Sequence, residues 1–216
     1  MISRRSNFGT VPKSYIKRFL PSNPVIVEAG AHIGTDTLEM AKIWPSGTIY
    51  AFEPIPELFK QLEMNVHNIN NIKCYPFALS HTVESSTMYV SSGSSDGSSS
   101  LLSPKEHLRE HPDVEFLDTI QVNTITLDVW AEKYGITHVD FLWLDIQGHE
   151  LSVLKAAQNI LKTIRAIYTE VHLVDSYEGG ALYPELRSWL ESYGFRVEHE
   201  ALPWPDGGNV LFVKSS

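Results

Sequence analysis

Acidic and imidazole side chains recur in this 216-residue chain where apolar, β-branched runs stop. The first such place is VIVEAGAHIGTDTLEM, which sets Glu28, Gly30, His32 and Gly34 between a strand-like run and a helix-like one. Glycine at 30 and 34 permits a sharp turn and a close backbone approach, and a helix beginning there directs free N–H groups at whatever binds. A carboxylate at Glu28 would repel a pyrophosphate and suits a ligand carrying an ammonium group or hydroxyls. The second place is YAFEP, where Glu53 and Pro54 end the next strand-like run. Glu53 lies about twenty residues past the turn, the spacing at which an acid bonds a ribose diol. A ribose joined to a cationic amino acid describes S-adenosylmethionine better than a dinucleotide, and the turn lacks a full G-x-G-x-x-G.

Two later run ends are denser. FLWLDIQGHELSVL carries Asp145 and His149, which share one face if the intervening turn is helical, with Glu150 beside them. TEVH carries Glu170 and His172, two apart and hence on one side of a strand. If these strands are neighbours, Asp145, His149, Glu170 and His172 crowd one mouth of a sheet. Such a group can take the proton of an acceptor hydroxyl. His149 is the leading candidate base, because imidazole can be neutral near pH 7, with Asp145 orienting it or contacting the cofactor amine and His172 as second candidate. A divalent ion on Asp145, Glu170 and His172 is a competing way to acidify the acceptor. The structural readings are Glu150 as a helix cap and Glu170 paired with Lys162 or Arg165.

The elements that must position these residues alternate regularly. Strands are expected at 25–29, 48–52, 72–79, 139–145 and 166–171, and helices at 35–44, 56–67, 149–161 and 183–193. Two final strands, 195–200 and 210–213, form a hairpin through ALPWPDGGN. This order argues for an α/β domain with a parallel sheet and helices on both faces, binding its ligand beyond the strand carboxyl ends. The middle is irregular: an edge strand at 87–90, a polar stretch at 103–113, an exposed strand at 119–124 and a helix at 127–134. SSGSSDGSSS, residues 91–100, has too little apolar content to pack; it reads as a solvated linker or as a lid hinged at Gly93 and Gly97. Residues 1–24 read as an amphipathic lead-in helix (Tyr15, Phe19, Leu20) ahead of a domain at 25–216.

Composition narrows the class. The net charge of −9 argues against nucleic acid as partner. One cysteine, Cys74, allows no internal disulfide and reads as a buried, inert thiol. No run approaches the ~18 apolar residues of a membrane span, and the basic N-terminus makes a poor secretory signal, so a cytoplasmic location is expected. Trp143 reads as core, and Trp204, between two prolines, as an acceptor wall or a surface aromatic.

VEAGAHIGTDT, YAFEP, FALS, GSSSLL, TITLDVW, VDFLWLDIQGHELSVLKAA, IYTEVH and GNVLFV follow one another over residues 25–213. In that order they resemble the FkbM family of S-adenosylmethionine-dependent methyltransferases. The resemblance implies the class I (Rossmann-like) methyltransferase fold, a seven-stranded, mostly parallel sheet whose last strand is antiparallel. It implies S-adenosyl-L-methionine as cofactor and O-methylation of a hydroxyl on a sugar or a polyketide-type small molecule. By position, Glu28, Gly30 and Gly34 would hold the methionine part, Glu53 the ribose, and Ala78, Leu79 and Ser80 the adenine side. His32 stands where the family usually has Asn, which bears on the methionine carboxylate. Gln147 stands where Glu is common, which removes a charge beside the reaction site. An NAD-dependent oxidoreductase and a non-catalytic cofactor-binding protein remain as alternatives.

Overall fold

Runs apolar on both faces, such as VIVEA and FLWL, can be buried only as inner strands of a covered sheet. The computed structural model describes residues 11–215 and places them there. Its first half comprises α1 (Lys13–Ile16) with a 3₁₀ turn behind it, β1 (Val25–Ala29), α2 (Thr35–Ile43), β2 (Thr48–Phe52), α3 (Pro56–Val66), β3 (Ile72–Tyr75) and β4 (Ala78–Leu79). β5 (Ser85–Gly93), α4 (His107–Glu110), β6 (Val114–Ile125) and α5 (Leu127–Tyr134) form the middle. The chain closes with β7 (Phe141–Leu144), α6 (Glu150–Ala156), β8 (Ala166–His172), α7 (Tyr183–Ser192), β9 (Phe195–Ala201) and β10 (Gly207–Lys214).

Seven strands form the main sheet in the order β3-β2-β1-β7-β8-β10-β9. The first five are mutually parallel, and β10 runs antiparallel between β8 and β9, as expected for a class I methyltransferase fold. The period-two alternation of side chains divides the core between the faces. Val27, Phe52, Leu142 and Ile167 pack with Trp130, Leu154 and Leu190 from α5, α6 and α7. Ile26, Ile49, Phe141 and Tyr168 pack on the other face with Ile16 of α1 and Met40 and Ala41 of α2. Trp143 is core, stacked on Tyr168 at 4.1 Å between ring centroids. Since β1 has β2 on one flank and β7 on the other, the sheet order reverses at β1, and its carboxyl edge opens a crevice there.

Several segments differ from the sequence expectation, among them the middle strands, which run longer, as β5 (Ser85–Gly93) and β6 (Val114–Ile125). The single strand at 72–79 is two, because Pro76 has no N–H for a ladder. β3 stays in the main sheet, and β4 joins a second sheet of order β4-β6-β5. The Ser-rich stretch is not a solvated loop throughout: β5 runs on to Gly93, and Ser91 and Ser100 are buried. Its hydroxyls supply the bonds that apolar packing cannot, with Ser98 N donating to Ser91 Oγ (2.9 Å) and Ser100 Oγ to the Gln147 carbonyl (2.8 Å). The helix expected at 149–161 stops at Ala156, and a 3₁₀ turn follows at Ile160–Lys162. Of the lead-in helix expected over 1–24, Lys13–Phe19 is helical, and residues 1–10 lie outside the described residues. Cys74 is only partly buried, and its thiol is pushed up to about 11 by burial. Among the described residues no helix is long and apolar enough to cross a membrane.

Candidate active site

The turn after β1 is shaped by left-handed backbone at Gly30 (φ 81°), His32 (φ 52°) and Gly34 (φ 89°). Gly30 is required by contact as well as conformation, since a Cβ there would stand 1.9 Å from the Asp145 carbonyl oxygen. A Cβ at Gly34 would stand 2.7 Å from Leu62 of α3. Both glycines therefore bring elements together. Gly30 also lines a cavity of about 250 Å³ at the crevice, whereas Gly34 does not.

Glu53 forms one wall of that cavity and is 4% exposed. Its oxygens accept from the backbone N–H groups of His32 and Ile55, both at 2.9 Å, which locks the β1 turn to the end of β2. Burial holds its pKa above the ordinary carboxylate value despite these bonds. Pro54 continues the wall, and Ile55, Leu58, Ala78 and Leu79 make an apolar slot beside it. Asp36 and Asp145 also line the cavity, with Asp36 paired to Lys13 and the Asp145 pKa raised by burial. His32 lines the cavity, its Nε2 3.2 Å from the Asp96 carboxylate of the Ser-rich stretch. The lining thus combines apolar side chains with several acids, a mixture of the kind a nucleoside carrying a cationic amino acid calls for.

Glu28 behaves differently from the expectation. It is fully buried outside the cavity lining and accepts from Thr37 Oγ1 of α2 at 2.5 Å. Desolvation pushes its pKa up to about 8. Its visible work is to fasten α2 to β1, and the acids that do line the cavity include Glu53, Asp36 and Asp145.

His149 also departs from expectation. The turn before it is not helical: Gln147 (φ 54°) and Gly148 (φ 93°) are left-handed, and His149 caps α6. Asp145 is consequently not its partner. His149 Nε2 lies 3.1 Å from Ser80 Oγ and 3.4 Å from His81 Nδ1, and its buried Nδ1 has no partner. Burial, then His81, lowers its pKa to about 4. His149 lines the first cavity, and Ser80 stands behind it rather than in the lining. Glu150 is structural, though not as the helix cap expected: it is the first residue of α6 and accepts from the N–H groups of Ile146 (3.1 Å) and Gly148 (3.3 Å) to close the same turn.

Glu170 and His172 line a second cavity of about 330 Å³, together with Gln147, His107, His111, Trp204 and Asp206. Gly97 of the Ser-rich stretch lines both cavities, so that stretch is a wall between them. The Gln147 carboxamide joins the two sides. Its Nε2 donates to Asp145 Oδ1 at 2.9 Å and to Glu170 Oε2 at 2.5 Å, and its Oε1 lies 2.8 Å from the Tyr177 hydroxyl. A charged residue at 147 would have placed three carboxyls together, whereas the amide supplies two donors to two acids. Burial, then Asp145 and Glu150, hold Glu170 well above the usual carboxylate range. Burial also lowers His172, which keeps its imidazole neutral. Arg165 is not the partner of Glu170; it bonds Asp140. Among the described residues no group of three or more His, Cys, Asp or Glu is arranged to hold a metal ion.

The sequence reading missed His107 and His111, which α4 and its C-cap carry from a polar stretch with no strand end nearby. It also missed Tyr177, whose ring contacts both His107 and His172.

Residues 28–197 match the Methyltransferase FkbM domain. The 2-O-methyltransferase NoeI of Sinorhizobium fredii is 30% identical over 162 residues, which are 73% of this chain and 67% of that protein. The methyltransferase FkbM of Methylobacillus flagellatus superposes with a TM-score of 0.57 at 15% identity, covering 95% of this chain and 48% of that one. The fibrillarin of Aeropyrum pernix, solved with natively bound S-adenosyl-L-methionine, superposes at 0.52 with 16% identity, covering 90% and 69%. The two structural likenesses speak for the fold, and the sequence match speaks for the activity: this chain belongs to the FkbM family and is an S-adenosylmethionine-dependent methyltransferase.

Proposed function

We propose that the chain methylates a hydroxyl of a saccharide or similar polyhydroxylated small molecule, with the acceptor in the second cavity and the cofactor in the first. One observation carries this reading: Gln147 bonds Asp145 on the wall of the first cavity and Glu170 on the wall of the second. In-line transfer needs the acceptor oxygen about 3–3.5 Å from the methyl carbon with nothing between them, so the two neighbouring cavities serve it once the Gln147 side chain that bridges their walls moves aside. The similar NoeI is named a 2-O-methyltransferase, which favours oxygen as the methylated atom.

The bound cofactor supplies a methyl group on a sulfonium leaving group. Glu53, Pro54, Ala78 and Leu79 would hold its nucleoside half, and Asp145, Asp36 and the Gly30–His32 turn its amino-acid half. His149, with Ser80 bonded behind it, serves the nucleoside side here and not proton transfer, because it lines the first cavity and not the second. His172 takes the acceptor proton: it is neutral, lines the second cavity and has a buried Nε2 without a partner. Glu170, its pKa raised by burial and by Asp145, lines the acceptor cavity beside His172 and is held in place by the Gln147 amide. The Ser-rich stretch excludes water from both cavities.

Isothermal titration with S-adenosylhomocysteine and NAD tests the cofactor half. Transfer of labelled methyl to alcohols, amines and thiols tests the acceptor half. Binding of the first nucleoside alone and transfer to hydroxyls is expected. Preferential transfer to an amine or thiol would reject the oxygen reading.

A further inference from the structure

The second cavity continues past His172 to residues that methyl transfer itself does not need. His107 is 5% exposed, lines this cavity and has a buried Nδ1 without a partner. Its ring is fixed on three sides, by Phe116 (5.3 Å between centroids, 87°), by Tyr177 (5.3 Å) and by His111 (4.8 Å). A buried polar atom left unpaired costs stability that a bound hydroxyl would return. Burial, then His111 and His172, lower its pKa to about 4, so it is a neutral imidazole able to accept or donate according to tautomer.

Trp204 lines the same cavity and is 48% exposed. It sits between Pro203 and Pro205 in the connection from β9 to β10, where fixed φ angles restrict the backbone. Asp206, two residues past Trp204, pairs with His111 Nε2 at 2.6 Å. The loop bearing the indole is thereby tied across the cavity to the C-cap of α4. An aromatic face at a cavity mouth, above a polar floor, matches a pyranose ring, which has apolar C–H faces and a hydroxyl edge.

We propose that Trp204 and His107 set acceptor specificity: the indole stacks on one face of a pyranose, and His107 bonds the hydroxyl next to the one presented to His172. The proposal rests on the O-methyltransferase reading above, because it takes the second cavity as the acceptor site. Trp204, His107 and the His111–Asp206 tie then select ring shape and neighbouring hydroxyls, while Glu170 and His172 handle the reacting one.

The test uses the whole chain saturated with S-adenosylhomocysteine and a set of methyl pyranosides, with cyclohexanol as the single-hydroxyl control. Saturation-transfer NMR reads binding, and labelled methyl transfer reads KM and kcat. Trp204→Ala is expected to raise pyranoside KM about tenfold, and Trp204→Phe to restore most of it. His107→Phe keeps the ring contacts and is expected to raise KM about fivefold for pyranosides with a neighbouring hydroxyl, leaving cyclohexanol unchanged. S-adenosylhomocysteine affinity stays at the wild-type value in all three, which shows that they fold. Pyranoside KM unaffected by Trp204→Ala and His107→Phe, or a wild-type protein that binds the nucleoside but no pyranoside, would overturn the specificity proposal alone. A wild-type protein that binds no S-adenosylhomocysteine would overturn the underlying function and this proposal with it.

Discussion

Substituting Glu53→Gln keeps the side chain's shape and replaces one carboxylate oxygen with an NH₂ group. Both oxygens accept a backbone N–H, from His32 and from Ile55, at 2.9 Å each. Whichever way the amide turns, one of these donors meets another donor. Two bonds to a charged acceptor, about 1.5–3 kcal/mol each, are replaced by one neutral bond of about 0.5–1.5 kcal/mol. Relief of the buried charge, whose cost is visible in the raised pKa, offsets much of that loss. A net stability loss of about 1–2 kcal/mol follows, within the range of single-site changes. The ligand loses more, because a ribose hydroxyl that donated to a carboxylate finds one neutral acceptor where there were two charged ones. S-adenosylhomocysteine affinity should fall about 10- to 100-fold by isothermal titration, with urea unfolding confirming that the variant is native. A pH series adds a second check. Wild-type affinity should decline as pH falls through the raised Glu53 pKa, and the glutamine variant should lack that decline. A variant that binds within about threefold of wild type would refute the assignment of Glu53 to the ribose.

Gly30→Ala puts a Cβ 1.9 Å from the Asp145 carbonyl oxygen at φ 81° and should cost about 2–4 kcal/mol in urea unfolding; a loss below about 1 kcal/mol would mean the turn tolerates a shift. Glu28→Gln should leave S-adenosylhomocysteine affinity unchanged, because the side chain lies behind the cavity wall. Glu28 is raised from 4.5 to about 8, so its contribution is full below the unfolded value and is lost as pH rises through 8. Unfolding measured from pH 4.5 up to about 8 should therefore favour the glutamine variant increasingly over wild type, with the difference levelling off above 8. His107 and His149 are lowered from 6.5 to about 4, so their contribution is full above 6.5 and is lost as pH falls toward 4. Urea midpoints should drop over that window, less steeply in His107→Asn, and identical slopes would contradict the burial of that imidazole.

The strand–helix alternation was readable because each element carries its own period. FLWL is apolar at every position, VIVEA at all but Glu28, and α3 repeats apolar residues at spacing four. The misread segments obey other rules. Pro76 ends a strand by lacking one hydrogen atom, which hydropathy does not register. The Ser-rich stretch packs through hydroxyl bonds to Gln147 and to its own serines, and a scale of apolar content scores those as solvent.

Residue type and local order in the sequence by themselves determined that acids would stand at the ends of buried strands, that the β1 turn needed glycine, and that Glu170 and His172 would share a side. Each of these depends on neighbours along the chain. Only the tertiary structure decided which acid faces which space. Glu28 turned inward to Thr37, His149 went with Ser80 and not Asp145, and Gln147 came to bridge Asp145 and Glu170. His107 and Trp204, far apart in sequence, came to line one cavity. The physical reason is that a side chain's partner and its exposure to water are set by β1, β7 and β8 lying next to one another, and that adjacency comes from packing the whole sheet.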